Sequence, residues 1–183
     1  MKKMVILGSG GHALNVIDLL LNEQKEFEPV GILDPHFKGN ILGVSVLGND
    51  DLLSGLKKKG IEYAFPAIGF GQGVNNVLRR KIFEKLKGLG YKIPSLISSK
   101  SFIRSGVRMG EGNFIQAGSV IDSEVILGNN VAIGFHVLDP DEARPRNPFR
   151  DPYPSREVFQ GYLANLATRR IAVMRLPVIR TAP

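Results

Sequence analysis

Ile103-Arg104-Ser105-Gly106-Val107-Arg108-Met109-Gly110-Glu111-Gly112-Asn113-Phe114-Ile115, continued by Ile121, Leu127 and Ile133, places an apolar residue at every sixth position. Ile97 extends the series backwards. Four positions after successive leads come Val107, Asn113, Ser119, Val125, Val131 and Val137, mostly small or β-branched. A period of six matches neither the 3.6-residue helix nor the two-residue alternation of a half-buried strand. It matches a parallel β-helix in which each hexad forms one flat side of a triangular coil. The lead and the small residue then point inward, and Gly110, Gly128 and Gly134, directly after three leads, are read as corner residues. The series stops at Leu138, because Asp139 and Pro140 cannot fill an apolar inward site. Residues 97–138 therefore supply about two and a third coils, where such arrays usually need roughly three repeats and a cap.

N-terminal to the hexads, residues 1 to 95 alternate between strand and helix signals. Met4 to Leu7 is a short apolar run closed by glycine, as in a buried parallel strand. Ala13, Leu14, Ile17, Leu20 and Leu21 recur at helical spacing directly after it. Val30 to Leu33 reads as a second strand and Ala64 to Ile68 as a third. A short helix around Leu52, Leu53 and Leu56 and a longer one from Val77 to Leu86, stopped by Gly88 and Gly90, complete the pattern. The alternation predicts an open parallel sheet with right-handed crossovers.

Residues 139–183 change composition abruptly. All 12 lysines lie at or before Lys100, whereas 8 of the 12 arginines follow Leu138. Seven of the 11 prolines but only one of the 21 glycines fall in this segment, and five prolines between Asp139 and Ser155 exclude a helix or central strand there. The reading preferred is a non-native continuation by frameshift, fusion or sequencing artefact; a divergent capping segment is the alternative. The whole chain is accordingly divided into an α/β domain over 1–95, hexad repeats over 96–138 and an irregular tail over 139–183.

At 183 residues, with 43% hydrophobic and 22% charged side chains, the chain has the make-up of an ordinary globular protein. It has no cysteine, which excludes disulfides, thiolate metal sites and cysteine nucleophiles. Gly8 to Gly11 interrupts the apolar start too early for a signal peptide, and no run of about 18 apolar residues occurs. A soluble cytoplasmic protein without a membrane partner is expected. The net charge of +7 is scattered, with no zinc finger, basic zipper or RNA-binding signature, so no nucleic-acid partner is expected.

Gly8-Ser9-Gly10-Gly11-His12-Ala13 follows a strand and opens a helix, matching G-x-G-x-x-A. Glycines admit a phosphate to the backbone, and the free amides of a helix N-terminus favour an anion. Asp34 ends the next strand, where a carboxylate accepts ribose hydroxyls. A tight turn without ligand is the bland alternative. His12 either donates to a phosphate or sugar or is simply an N-terminal helix residue; His36 reads as a loop residue. Gly69 is placed on the same rim, and Arg79 either reaches a phosphate there or pairs on the helix surface. His136, in the last hexad, is the candidate general base for taking a proton from a sugar amine or hydroxyl; Val137 rather than a carboxylate follows it, and a corner or surface residue is the alternative reading. No metal site is expected.

Lys3 to Gly11 with His12, Gly31-Ile32-Leu33-Asp34, Gly43-Val44-Ser45-Val46-Leu47-Gly48, and Ala67-Ile68-Gly69 leading to Arg79 precede Leu96-Ile97 and the hexads. Together, over about residues 2–138, they resemble the family of sialic acid O-acetyltransferases and UDP-sugar N-acetyltransferases. The resemblance implies a Rossmann-like head that binds a nucleotide sugar of UDP or CMP type, with Gly8, Ser9, Gly10, Gly11, His12, Asp34, Gly69 and Arg79 lining the pocket. It also implies a left-handed β-helix that forms homotrimers and binds acetyl-CoA as co-substrate between subunits. Direct acetyl transfer in that family uses a histidine base followed by an acid, one coil into the helix. The matching register here falls near Asp141-Glu142, where there is no histidine, so an inactive or impaired enzyme is expected. Two other functions are weighed: an NAD-linked oxidoreductase, from the glycine turn and Asp34, and a non-catalytic nucleotide-binding or trimer-forming subunit.

Overall fold

The computed structural model describes residues 1–69 and 74–134. His136, the stop of the hexads and the tail over 139–183 lie outside the described residues.

The apolar run at the start becomes β1 (Lys2–Leu7), whose Met4, Val5, Ile6 and Leu7 are all buried. Burial on both faces is the reason the run is continuous rather than alternating. β1 pairs in parallel with β2 (Phe27–Leu33) on one side and with β5 (Tyr63–Pro66) on the other, so it lies inside the sheet. Between β1 and β2 runs α1 (Gly11–Asn22), which buries Ala13, Val16, Ile17, Leu19 and Leu20. A 3-10 turn (Asp50–Leu52), capped by the Asn49 side chain accepting from the Asp51 amide, leads into α2 (Leu53–Lys58). The last helix of the head is α3 (Val74–Gly88).

The expected all-parallel sheet is corrected at one edge. The strand order is β3-β4-β2-β1-β5, and β3 (Asn40–Ile41) runs antiparallel to β4 (Val44–Gly48). The third strand stops at Pro66, short of Ile68. The hairpin was illegible because its two turn residues are Leu42 and Gly43, with φ of 49° and 85°. A two-residue turn with both φ positive ordinarily announces itself by Asn-Gly or Asp-Gly. Leu42 is 49% exposed, so it gains little from burial while carrying left-handed strain. Leu42→Asn is therefore expected to stabilise the chain by about 0.5 kcal/mol, read as a higher urea midpoint at unchanged slope. An unchanged or lower midpoint would refute the assignment of strain to this turn.

All seven hexad leads are the second residue of a two-residue strand: β6 (Leu96–Ile97), β7 (Phe102–Ile103), β8 (Arg108–Met109), β9 (Phe114–Ile115), β10 (Val120–Ile121), β11 (Ile126–Leu127) and β12 (Ala132–Ile133). Every pairing is parallel and joins residues three hexads apart. Ile97, Ile115 and Ile133 form one stack, Ile103 and Ile121 a second, Met109 and Leu127 a third. Three stacks, one per hexad phase, make a three-sided coil. The corners lie elsewhere than expected. Left-handed φ recurs three residues after each of the five leads from Ile103 to Leu127, at Gly106 (76°), Gly112 (70°), Gly118 (77°), Glu124 (62°) and Asn130 (57°). Gly110 serves a different need: a Cβ there would strike the Asn129 side chain and come within 3.0 Å of the Gly128 carbonyl, in the next coil.

The residue before each lead faces out of the coil, and one of the three sides is not free. Leu96 and Phe114 are buried in a single core with the head. Phe102, Val120 and Ile126 on the other two sides are 60%, 55% and 58% exposed. Among the described residues, no helix is long and apolar enough to cross a membrane.

Candidate functional site

The ends of β1, β2 and β5 converge on one rim, as the sequence pattern suggested for Gly8, Asp34 and Gly69. Gly8 turns the chain with a φ of 104°, and a Cβ on it would lie 2.6 Å from Ile68 Cδ1 and 3.0 Å from the Ala67 carbonyl. Gly10 caps α1, its carbonyl accepting from the Ala13 amide at 2.9 Å. Among the described residues, nothing lies within 4 Å of a Cβ built on Gly10 or Gly11, so the first turn of α1 borders open space. A cradle of this kind admits a phosphate to backbone amides. Gly8→Ala combines forbidden φ with a backbone clash, and is expected to cost about 3 kcal/mol. Gly31→Ala supplies the contrast: its Cβ would meet only the half-exposed Leu47 side chain, which can swing away. Urea unfolding of both variants checks the prediction; equal losses would contradict it.

Asp34 organises the rim. Its Oδ2 accepts from the Ser9 hydroxyl at 2.7 Å, and its Oδ1 from the amides of His36 and Phe37 at 2.8 and 3.2 Å. Burial alone would raise its carboxyl pKa; these donors, with the Ser9 amide, hold it below the ordinary value. Asp34 therefore stays ionised, with acceptor capacity left for a hydroxyl. Gly69 sits close by, its Cβ position 3.8 Å from His12 Cβ.

His12 lies in the first turn of α1 and is buried, and Arg79 does not pair on the helix surface. His12 is 8% exposed, and its ring packs edge-on against Phe114 of the coil at 4.8 Å between centroids. Arg79 is 3% exposed, not on the helix surface, and among the described residues it has no ion pair. Its Nη1 donates to the carbonyls of Pro66 (2.8 Å) and Ile68 (3.0 Å) and lies 3.2 Å from His12 Nε2. Because a guanidinium can only donate, His12 accepts at Nε2 and carries its proton on Nδ1. Burial, then the Arg79 charge, lower the His12 pKa to about 3, and burial lowers that of Arg79 to about 10. His12 is neutral and Arg79 charged at pH 7. Arg79 Nε and Nη2 are buried without a hydrogen-bond partner among the described residues. No metal-binding cluster occurs among the described residues.

Ser9, Asp34, Gly8, Gly10, Gly11, His12, Gly69 and Arg79 are thus brought together, and His36 contributes its amide. His136 is not tested by this geometry. Three contributors were missed. Phe114 carried no reading of its own, yet an aromatic residue directly before a lead was a signal of docking. Glu23 and Gln24, at the end of α1, join the head to the coil and carried no motif.

The glycine-turn α/β head is docked on a three-sided coil of 18 residues per turn. Residues 3–86 match the family described as the PglD N-terminal domain. Over 72% of its length the chain is similar, at 32% identity and a TM-score of 0.66, to a histidine-to-asparagine mutant of perosamine N-acetyltransferase from Caulobacter crescentus in complex with CoA and GDP-perosamine. Over 73% it is similar, at 26% identity and a TM-score of 0.64, to the acetyltransferase domain of PglB from Neisseria gonorrhoeae in complex with acetyl coenzyme A. The chain spans 60% and 62% of those two chains. A comparison with curated proteins gave no match. The chain is thus similar to the PglD N-terminal domain over residues 3–86 and, over about 72% of its length, to solved sugar acetyltransferases.

Proposed function

We propose that the chain is built as an acetyl-CoA-dependent sugar acetyltransferase, with a nucleotide-sugar-binding head over 1–95 and a left-handed β-helix of hexapeptide repeats over 96–138. The observation that carries the head's role is the buried Arg79 charge beside the first turn of α1. The described residues leave it without a counter-ion, and helix dipole and guanidinium both favour an anion at the glycine cradle. The diphosphate of a nucleotide sugar supplies that anion, and Asp34 has acceptors for its ribose. Gly8, Ser9, Gly10, Gly11, His12, Asp34, Gly69 and Arg79 form or support the pocket. His12 acts there as a neutral packing and orienting group, not as a proton donor to phosphate.

Acetyl-CoA as co-substrate is supported by the CoA-bound similar structures. Its thioester supplies the acetyl group to the sugar amine or hydroxyl. The coil carries no histidine among its described residues, His136 remains the candidate base, and no acid follows it. Acetyl transfer is therefore proposed to be absent or impaired, leaving nucleotide-sugar binding as the retained activity. A homotrimer is supported by the two coil sides that expose Phe102, Val120 and Ile126, and a cytoplasmic location by the nucleotide-sugar chemistry. The NAD-linked reading is not favoured, since the similar structures are sugar acetyltransferases.

Thermal unfolding in the presence of a UDP-sugar, a GDP-sugar, a CMP-sugar and NAD tests this. At a hundred times its dissociation constant, a nucleotide sugar is expected to raise the midpoint by about 5 °C or more. A rise with NAD alone would overturn the assignment.

A further inference from the structure

Helix α1 touches the coil at both of its ends. At its N-terminus His12 packs on Phe114. At its C-terminus Glu23 Oε2 accepts from the Ser98 hydroxyl (2.9 Å), the Ser99 amide (2.7 Å) and the Ser99 hydroxyl (2.9 Å). Gln24 Nε2 donates to the Ile97 carbonyl at 2.8 Å. Glu23 and Gln24 are themselves fixed, since both amides donate to the Leu19 carbonyl and the Gln24 carbonyl accepts from Phe27 of β2. The corner they grip is equally fixed. Ser98 is 2% exposed, its amide donates to Ile115 of the next coil, and its hydroxyl accepts from the Lys100 amide.

We propose that Glu23 and Gln24 are positioning residues, a polar latch that makes α1 a rigid strut and sets the placement of the glycine turn relative to the coil. The two contact points are roughly 17 Å apart along a 12-residue helix, so together they fix the tilt as well as the position of the head. A transfer between a sugar held on one body and a thioester held on another needs that placement constant to about 0.5 Å. The proposed division of labour between head and coil underlies this inference, but the latch itself is tested without any ligand. Burial would raise the Glu23 pKa, while the Ser98 and Ser99 donors and Lys100 hold it below the ordinary value, so the latch is charged at pH 7.

Because the chain has no cysteine, Lys58→Cys on the head and Ser123→Cys on the coil, both exposed, give a unique spin-label pair. Labelled chain is diluted into unlabelled chain, and the distance distribution is measured by pulsed electron resonance. The parent pair is expected to give one narrow distance. Glu23→Ala with Gln24→Ala is expected to widen it about twofold or more, whereas affinity for a UDP-sugar at the distant turn stays within about twofold. An equally narrow distance in the double variant would overturn the latch. A lost affinity with a narrow distance would overturn it too, because the residues would then act on the turn and not on placement. Should the double variant fail to fold, Ser98→Ala with Ser99→Ala removes the coil-side hydroxyls, leaves α1 intact and carries the same outcomes. Absence of UDP-sugar binding in the parent itself would count against the proposed head function and leave the distance result to decide the latch.

Discussion

Between pH 7.5 and pH 5 the folded chain is expected to lose about 2 kcal/mol of stability through His12 alone, and about 4 kcal/mol by pH 3. The sign follows from which form the fold accepts. His12 binds its proton near the ordinary histidine pKa of 6.5 when unfolded but only near 3 when folded, because burial and Arg79 both oppose a second positive charge. The unfolded chain therefore takes up the proton first, and acid favours it. The contribution is complete above pH 6.5 and is withdrawn as pH falls toward 3. Glu23 and Asp34, both held below their ordinary carboxylate values of 4.5 and 3.8, begin to lose their own stabilising contribution only as pH falls through those values. The stretch from pH 7.5 to 5 therefore isolates His12 from them. His12→Gln can still accept from Arg79 but does not titrate. Urea unfolding at the two pH values is expected to show most of the 2 kcal/mol vanish in that variant. An equal loss in parent and variant would mean that His12 is not held neutral.

Phe114→Ala is expected to cost about 4 kcal/mol, the largest effect of any single truncation considered. The ring is 1% exposed, edge-on to His12 and 6.3 Å from Phe65 between centroids, so it fills the junction of head and coil. Its loss leaves a cavity that neither body can close, since each is held by its own backbone ladder. Arg108→Ala, at the equivalent outward position on an exposed side, is expected to change stability by less than about 0.5 kcal/mol. Chemical unfolding of the two variants decides the matter. Similar losses would show that the outward positions are alike and that the junction is not built on Phe114.

The hexad leads were legible because the inward side of a coil tolerates only apolar residues, and the rule repeats without interruption. The corners were misread because φ has no fixed sequence spelling. Glycine marks three of them, but Glu124 and Asn130 take the same backbone, while the conspicuous Gly110 answers a steric demand from the next coil. The glycine turn and Asp34 were legible since their chemistry is local. The burial of Arg79 was not, because its partners are backbone carbonyls at the end of another strand, and carbonyls carry no side-chain signature. The β3-β4 hairpin was hidden by Leu42, and the latch by the ordinariness of Glu23 and Gln24 at a helix end.

The most direct measurement is an amide NMR titration of the whole chain with a UDP-sugar and a GDP-sugar. The expected result is a set of saturable shifts at Gly8, Ser9, Gly10, Gly11, His12, Asp34 and Gly69, with the coil strands beyond Phe114 unmoved. Saturable shifts confined to the coil, or none at the turn after β1 at millimolar ligand, would contradict a nucleotide-sugar site in the head.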